Sequence, residues 1–231
     1  MTGLATDEGI TVVPLRGVRA MIADKMSNSL KEAAQLTHHA ECSLSSLNSR
    51  KAHLLSNGIK VSVEDLFIEA AVKTLQRYPD MNGVIKDKQI NLFKPVHLSV
   101  AMALPGNLLV APAIFDAHKL SLEELRQSRQ DLSSRAKQNK LTVTEMTGGT
   151  FSISNLGLSR VHHFTPILNN PQIGILGIGC AREKAVRGGD GSVEFVPYTG
   201  LSLTFDHRAI DGAPAAEFLT DLCREIERNE E

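Results

Sequence analysis

The stretch TFDHRAIDGAP, residues 204–214, holds the chain's densest set of groups able to move a proton. His207 stands between Asp206 and Arg208, and Asp211 follows four positions later, just ahead of Gly212. Three charges around one imidazole are costly unless they are organised. A histidine held in one tautomer by such a neighbour is a good general base near neutral pH. Gly212 adds a position where the backbone turns or is approached closely without a side chain in the way. Taken alone, a His-x-x-x-Asp pattern describes a solvated or simply buried histidine equally well.

A second stretch, GGTFSISNLG at 148–157, carries hydroxyls. Period-two alternation puts Ser152 and Ser154 on one face of a strand, with Asn155 and Gly157 behind them. Strand hydroxyls are usually hydrogen-bonding passengers. Beside a base histidine, one of them becomes a nucleophile or an oxyanion donor. No Gly-x-Ser-x-Gly elbow is present, which weighs against a serine hydrolase.

Other motifs read as structure. GILGIG, 174–179, resembles a piece of a phosphate loop, but polar CAREKAVRGGDG follows it instead of a helix start, so tight strand packing is expected. His38 and His39 with Cys42, and His162 with His163, fit no zinc spacing. The histidine pairs are better placed on the wall of a substrate channel than around a metal.

The elements that must position these groups are legible in outline. Leu201 to Phe205 alternates and predicts a strand, so His207 is expected at a sheet terminus. Strands are also predicted for VHLSVAMA, LLVAPAI, TFSIS, IGILGIG and VEFVPYTGLSLTF, with a hairpin tip at RGGDGS, 187–192. Val18, Met21, Ile22, Met26 and Leu30 recur at helical spacing and predict an amphipathic helix. Ser62 and Ser121, each followed three residues later by an acid, mark two helix starts, and a last helix is expected after Pro214 with Phe218, Leu219, Leu222 and Ile226 inward. Strands interleaved with helices predict an α/β or α+β layered domain. Residues 1–9 read as a flexible tail and 10–231 as one compact unit.

With 25 basic and 26 acidic side chains among 231 residues, there is no charge argument for nucleic acid or an anionic membrane as partner. No apolar run reaches transmembrane length. Three scattered cysteines form neither a disulfide framework nor a zinc motif, which favours a reducing compartment, the cytoplasm or a mitochondrial matrix.

Together the blocks resemble the catalytic core domain of the dihydrolipoamide acyltransferases of 2-oxo acid dehydrogenase complexes. The family signature Asp-His-Arg-x-x-Asp-Gly stands complete at Asp206–Gly212, and RGVRAMIADKM with Arg19, LLVAPAI, GGTFSISNLG and HFTPILNNPQIGILGIG follow the family's order from about residue 12 onward. The resemblance implies a chloramphenicol-acetyltransferase-like fold, a mixed sheet flanked by helices, for the domain at 10–231. It implies a homotrimer, assembled in some members into a cubic or dodecahedral core beside dehydrogenase components. The active-site channel lies between subunits.

Coenzyme A and a lipoyl group are the implied substrates, the lipoyl arm arriving from a separate domain, since no lipoyl-lysine segment is recognisable here. No metal is implied. His207 is then the base, Ser154 the oxyanion donor, and Asp211 the residue that orders the turn through an ion pair with Arg19, with Gly212 in support. The SISNLG form is more similar to acetyl-transferring members, of pyruvate or acetoin type. ALPGNLLVAP and GLSRVHHF depart from the family pattern at places that would line the channel. Three alternatives stand beside this reading: a branched-chain acyl specificity, a CoA-dependent acetyltransferase of a small hydroxylated compound, and a non-catalytic core scaffold.

Overall fold

The computed structural model describes residues 4–5, 9–106 and 108–228. The expected tail falls mostly outside them. Its Leu4–Ala5 (β1) pairs antiparallel with Thr11–Val12 (β2). Helix α1 (Val18–Glu32) follows where the spacing predicts it. Its apolar stripe, however, is not buried within the chain: Val18, Met21 and Leu30 are 50%, 64% and 57% exposed. Periodicity reports that a helix has an apolar face, not which surface covers it.

Strand β3 (Gln35–Ser43) and helices α2 (Ser45–Ser56) and α3 (Val63–Arg77) come next. Ser62 caps α3 as expected: its hydroxyl accepts from the Asp65 N–H while the Asp65 carboxylate accepts from the Ser62 N–H. A hairpin, β4 (Gly83–Lys86) and β5 (Gln89–Leu92), precedes the middle strands. The expected strand VHLSVAMA is two, β6 (Leu98–Val100) and β7 (Met102–Leu104). LLVAPAI likewise splits into β8 (Leu108–Val110) and β9 (Ala113–Ile114). Pro112 lies at that break and has no N–H for a ladder.

Helix α4 (Leu122–Lys137), capped by Ser121 and Glu124, and the short α5 (Val143–Thr147) lead to β10 (Phe151–Asn155). Two long strands, β11 (Gly174–Arg187) and β12 (Val193–Asp206), turn at the predicted hairpin. The last helix, α6 (Gly212–Glu227), starts two residues before Pro214 rather than after it. A proline in the first helical turn is tolerated because its N–H would have no partner there.

The main sheet runs β3-β12-β11-β10-β6-β9. It is mixed: β10 is parallel to β11 and β6, and the other pairs are antiparallel. One face buries Phe151, Ile153, Leu201, Leu203 and Phe205 against Phe67 of α3 and Phe218 and Leu222 of α6. Each such side chain contributes roughly 1.5–3 kcal/mol on burial, so this face anchors β10 and β12, the two strands that carry the candidate site.

The segment from His162 crosses the other face. A side chain at Gly177 would meet the Phe164 ring at 2.8 Å, and one at Gly179 would meet the His162 carbonyl oxygen at 1.9 Å. GILGIG is thus a packed strand.

Candidate active site

His207 follows directly on β12. Its backbone N–H donates to the Ala34 carbonyl at 2.9 Å, which ties the strand end to the residue ahead of β3. Its Nδ1 lies 3.7 Å from Asp211 Oδ1. That is too long for a hydrogen bond and near enough for electrostatic orientation. The two side chains are 44% and 86% exposed, so the ring is open to a ligand.

The three charges expected around the ring do not gather there. Asp206 turns inward, its side chain only 3% exposed, and accepts from Arg208 Nη2 at 2.6 Å. It also accepts from the Arg208 N–H and, at 3.3 Å, from the Ala34 N–H. The Asp206 hydrogen bond pushes the Arg208 guanidinium above its ordinary value. Asp206 and Arg208 therefore brace the turn, and Asp211 alone faces the imidazole.

The ion pair expected between Asp211 and Arg19 is not formed: Asp211 pairs with His207, and Arg19 sits half-buried on α1. Asp211 is the N-cap of α6, so its side chain stays beside the strand end, near the ring four residues back. Gly212 is the first residue of α6, and a side chain there would lie 3.8 Å from the His38 ring, an ordinary contact. The close approach expected at Gly212 is absent within the single chain.

Ser152 and Ser154 separate in role. The Ser152 hydroxyl is buried and donates to Gln172 Oε1 at 2.5 Å. Ser154 is half-buried, and its hydroxyl has no hydrogen-bond partner among the described residues. Ser154 pairs with Gly177 on β11, Gly177 with Ser202 on β12, and Ser202 with His39 on β3, one row across the sheet. Two strand spacings, about 10 Å, thus part Ser154 from Ser202. Four extended steps along β12, about 14 Å, part Ser202 from Asp206. Ser154 is therefore roughly 17 Å from Asp206, and His207, a fifth step along, is about 20 Å away, so Ser154 and His207 of one chain cannot act on one carbonyl group.

His38 and His39 point to opposite faces of β3. His38 packs edge-on against Phe205 with ring centres 5.0 Å apart, and Phe205 in turn lies 5.9 Å from His207. His39 Nδ1 is 2.9 Å from the Ser202 hydroxyl, and its ring meets His163 edge-on at 5.1 Å. Burial, and then His163 and His38, lower the His39 imidazole from its ordinary value. The polar set beneath β10, buried Ser99, Ser152 and Gln172 with half-buried Asn169, had no signature in the sequence. It forms only where residues far apart in the chain meet. Among the described residues, no three His, Cys, Asp or Glu side chains come together as a metal would need.

A family model described as 2-oxoacid dehydrogenases acyltransferase (catalytic domain) matches residues 7–231. The chain belongs to this family. A relative of this acyltransferase domain, the dihydrolipoyllysine-residue acetyltransferase component of the acetoin cleaving system of Bacillus subtilis strain 168, is 42% identical over 90% of the chain and 53% of the relative. The chain spans about half the length of the curated relatives it matches.

Two solved structures superpose with a TM-score of 0.87 at 26% identity, covering 98% of this chain and 97% of theirs. One is Azotobacter vinelandii dihydrolipoamide acetyltransferase, studied for the role of a serine, a histidine and an asparagine in its catalytic mechanism. The other is the cubic core of a pyruvate dehydrogenase multienzyme complex. A chloramphenicol acetyltransferase shares the fold at TM-score 0.59 and 14% identity, covering 88% of this chain and 94% of its own. The expected fold class is the observed one.

Proposed function

We propose that this acyltransferase domain exchanges an acyl group between coenzyme A and a dihydrolipoyl thiol, in a site completed between subunits. The observation that carries the reading is His207, open at the end of β12 with Asp211 on its Nδ1 side. A thiol is mostly protonated at neutral pH, and the thiolate is the nucleophile. His207 takes the proton as sulfur attacks the thioester carbonyl, a contribution of typically 10²–10⁴-fold. The carbonyl oxygen gains charge in the tetrahedral intermediate, and the Ser154 hydroxyl of a neighbouring subunit donates to it, worth about 10²–10³ in rate. Collapse breaks the original carbon–sulfur bond, and the imidazolium returns its proton to the departing thiolate. Asp211 stands beside Nδ1 and orients the ring.

The spacing in the Azotobacter vinelandii enzyme supports the assignment of Ser154 over Ser152. Its histidine and asparagine are four positions apart and its serine lies 52 before the histidine, against 53 from Ser154 to His207 here. This chain has Asp211 where that enzyme has asparagine. The exposed apolar stripe of α1 supports a homotrimer, and the cubic core of the structural relative supports a larger assembly with dehydrogenase components around it. The lipoyl group is delivered by a separate domain. Acetyl is the proposed acyl group, on the SISNLG block and the Bacillus subtilis relative.

Incubation with acetyl-CoA and dihydrolipoamide tests this directly. Acetyl-dihydrolipoamide should form and should fall at least about a hundredfold in His207→Ala. Turnover with branched acyl-CoA alone, acetylation of small alcohols instead of the dithiol, or no turnover in assembled protein would each replace the reading.

A further inference from the structure

A second nucleophile lies away from His207. Where β11 passes from Ile178 to Ala181 its register against β12 shifts: Ile178 pairs with Leu201 and Ala181 with Thr199, so Gly179 and Cys180 together oppose Gly200. A bulge of this kind re-aims a side chain that regular alternation would send to the other face. The segment after β10 crosses above it. The Cys180 N–H donates to the Val161 carbonyl at 2.8 Å, and Cys180 Sγ lies 3.2 Å from His162 Nδ1. Gly179 and Gly200 admit this crossing, since a side chain on either would meet the His162 carbonyl oxygen at 1.9 Å or 2.1 Å. The thiol is largely covered, and His162 is exposed and open to exchange protons with solvent.

We infer that Cys180 and His162 form a thiol–imidazole pair that accepts an acyl group from a thioester, making Cys180 a site of covalent S-acylation. The choice of a thioester as electrophile rests on the acyl-transfer reading above; the pair itself rests only on geometry. His162 accepts the thiol proton as Cys180 Sγ attacks the acyl carbon. A carbon–sulfur bond forms to Cys180, the bond to the coenzyme A sulfur breaks, and His162 gives the proton to the leaving thiolate. No oxidant or further reactant enters. Cys42 provides an internal contrast: contact with the Cys223 thiol and then burial push it up, which disfavours its thiolate.

The test uses the intact protein with acetyl-CoA alone at pH 7. The Cys180 peptide is read by mass spectrometry before and after neutral hydroxylamine, and transfer from acetyl-CoA to dihydrolipoamide is assayed on the same preparation. A hydroxylamine-labile acetyl group on Cys180, absent from Cys42, is expected. His162→Gln should slow its formation about tenfold or more, and should slow alkylation by iodoacetamide in parallel. Cys180→Ala should leave transfer to dihydrolipoamide unchanged. An unmodified Cys180 in protein with normal transfer overturns the proposal, as does equal labelling in His162→Gln. Cys180 acetylation in protein that performs no transfer would instead overturn the acyl-transfer reading and leave this one standing.

Discussion

Repair of activity between two damaged chains follows from the distance between Ser154 and His207. With roughly 20 Å between them in one chain, the proposed mechanism needs its base from one subunit and its oxyanion donor from the next. His207→Ala should lose about 10²–10⁴ in rate and Ser154→Ala about 10²–10³. The two variants are then unfolded, mixed at equal concentration and refolded together. In a randomly mixed ring, half of the chains carry an intact histidine and half of their neighbours on the correct side carry an intact serine. About one quarter of the sites are whole, so activity should return to about a quarter of wild type. Transfer from acetyl-CoA to dihydrolipoamide is the assay, and native mass spectrometry establishes that mixed rings formed. A chain bearing both substitutions, mixed with wild type, controls for dilution. Mixed rings no more active than the separate parents would refute the shared site.

Two further predictions concern stability. Arg129 Nε binds the buried Asp65 carboxylate at 2.6 Å and its Nη1 reaches Glu64 at 3.2 Å. Burial works to raise the Asp65 carboxyl, but hydrogen bonds from Arg129 and Ser62 outweigh it and hold it below the usual range. Arg129→Ala leaves that charge buried and unpaired, so denaturant unfolding should show a loss of about 3–5 kcal/mol, partly restored by adding Asp65→Asn. Hydrogen bonds from Arg135, then from Thr142, hold the Glu145 carboxyl down to about 2. The stabilisation from that pair is present above the unfolded value of about 4.3 and disappears as pH falls through the folded one. Glu145→Gln should therefore cost up to about 1 kcal/mol at neutral pH, and melting curves of the two proteins should converge between about pH 4 and pH 2. A gap that persists to the acid end would refute the pairing.

The candidate catalytic groups were legible because local chain chemistry fixes their surroundings. His207 at a strand end and Asp211 four residues on belong to one short turn. The capping boxes at Ser62 and Ser121 close within four residues, so they are readable without any tertiary contact. Two of the misplaced boundaries lay at prolines. Pro214 sits inside the first turn of α6, and the LLVAPAI strand breaks at Pro112. A proline restricts a helix or strand differently at its start than in its interior.

The sequence by itself determined which faces of the strands are apolar, where His207 falls, and that GILGIG is strand and not phosphate loop. These depend on side-chain period and on neighbours a few residues away. Only the tertiary structure decided that Ser152 is spent on Gln172 while Ser154 stays available, and that Asp206 turns inward to Arg208 and away from the imidazole. The same holds for the bulge that brings Cys180 to His162, and for the α1 stripe left facing outward. Each depends on segments far apart in the chain, whose relative placement is set by how the whole core packs. Local propensity carries no record of that packing.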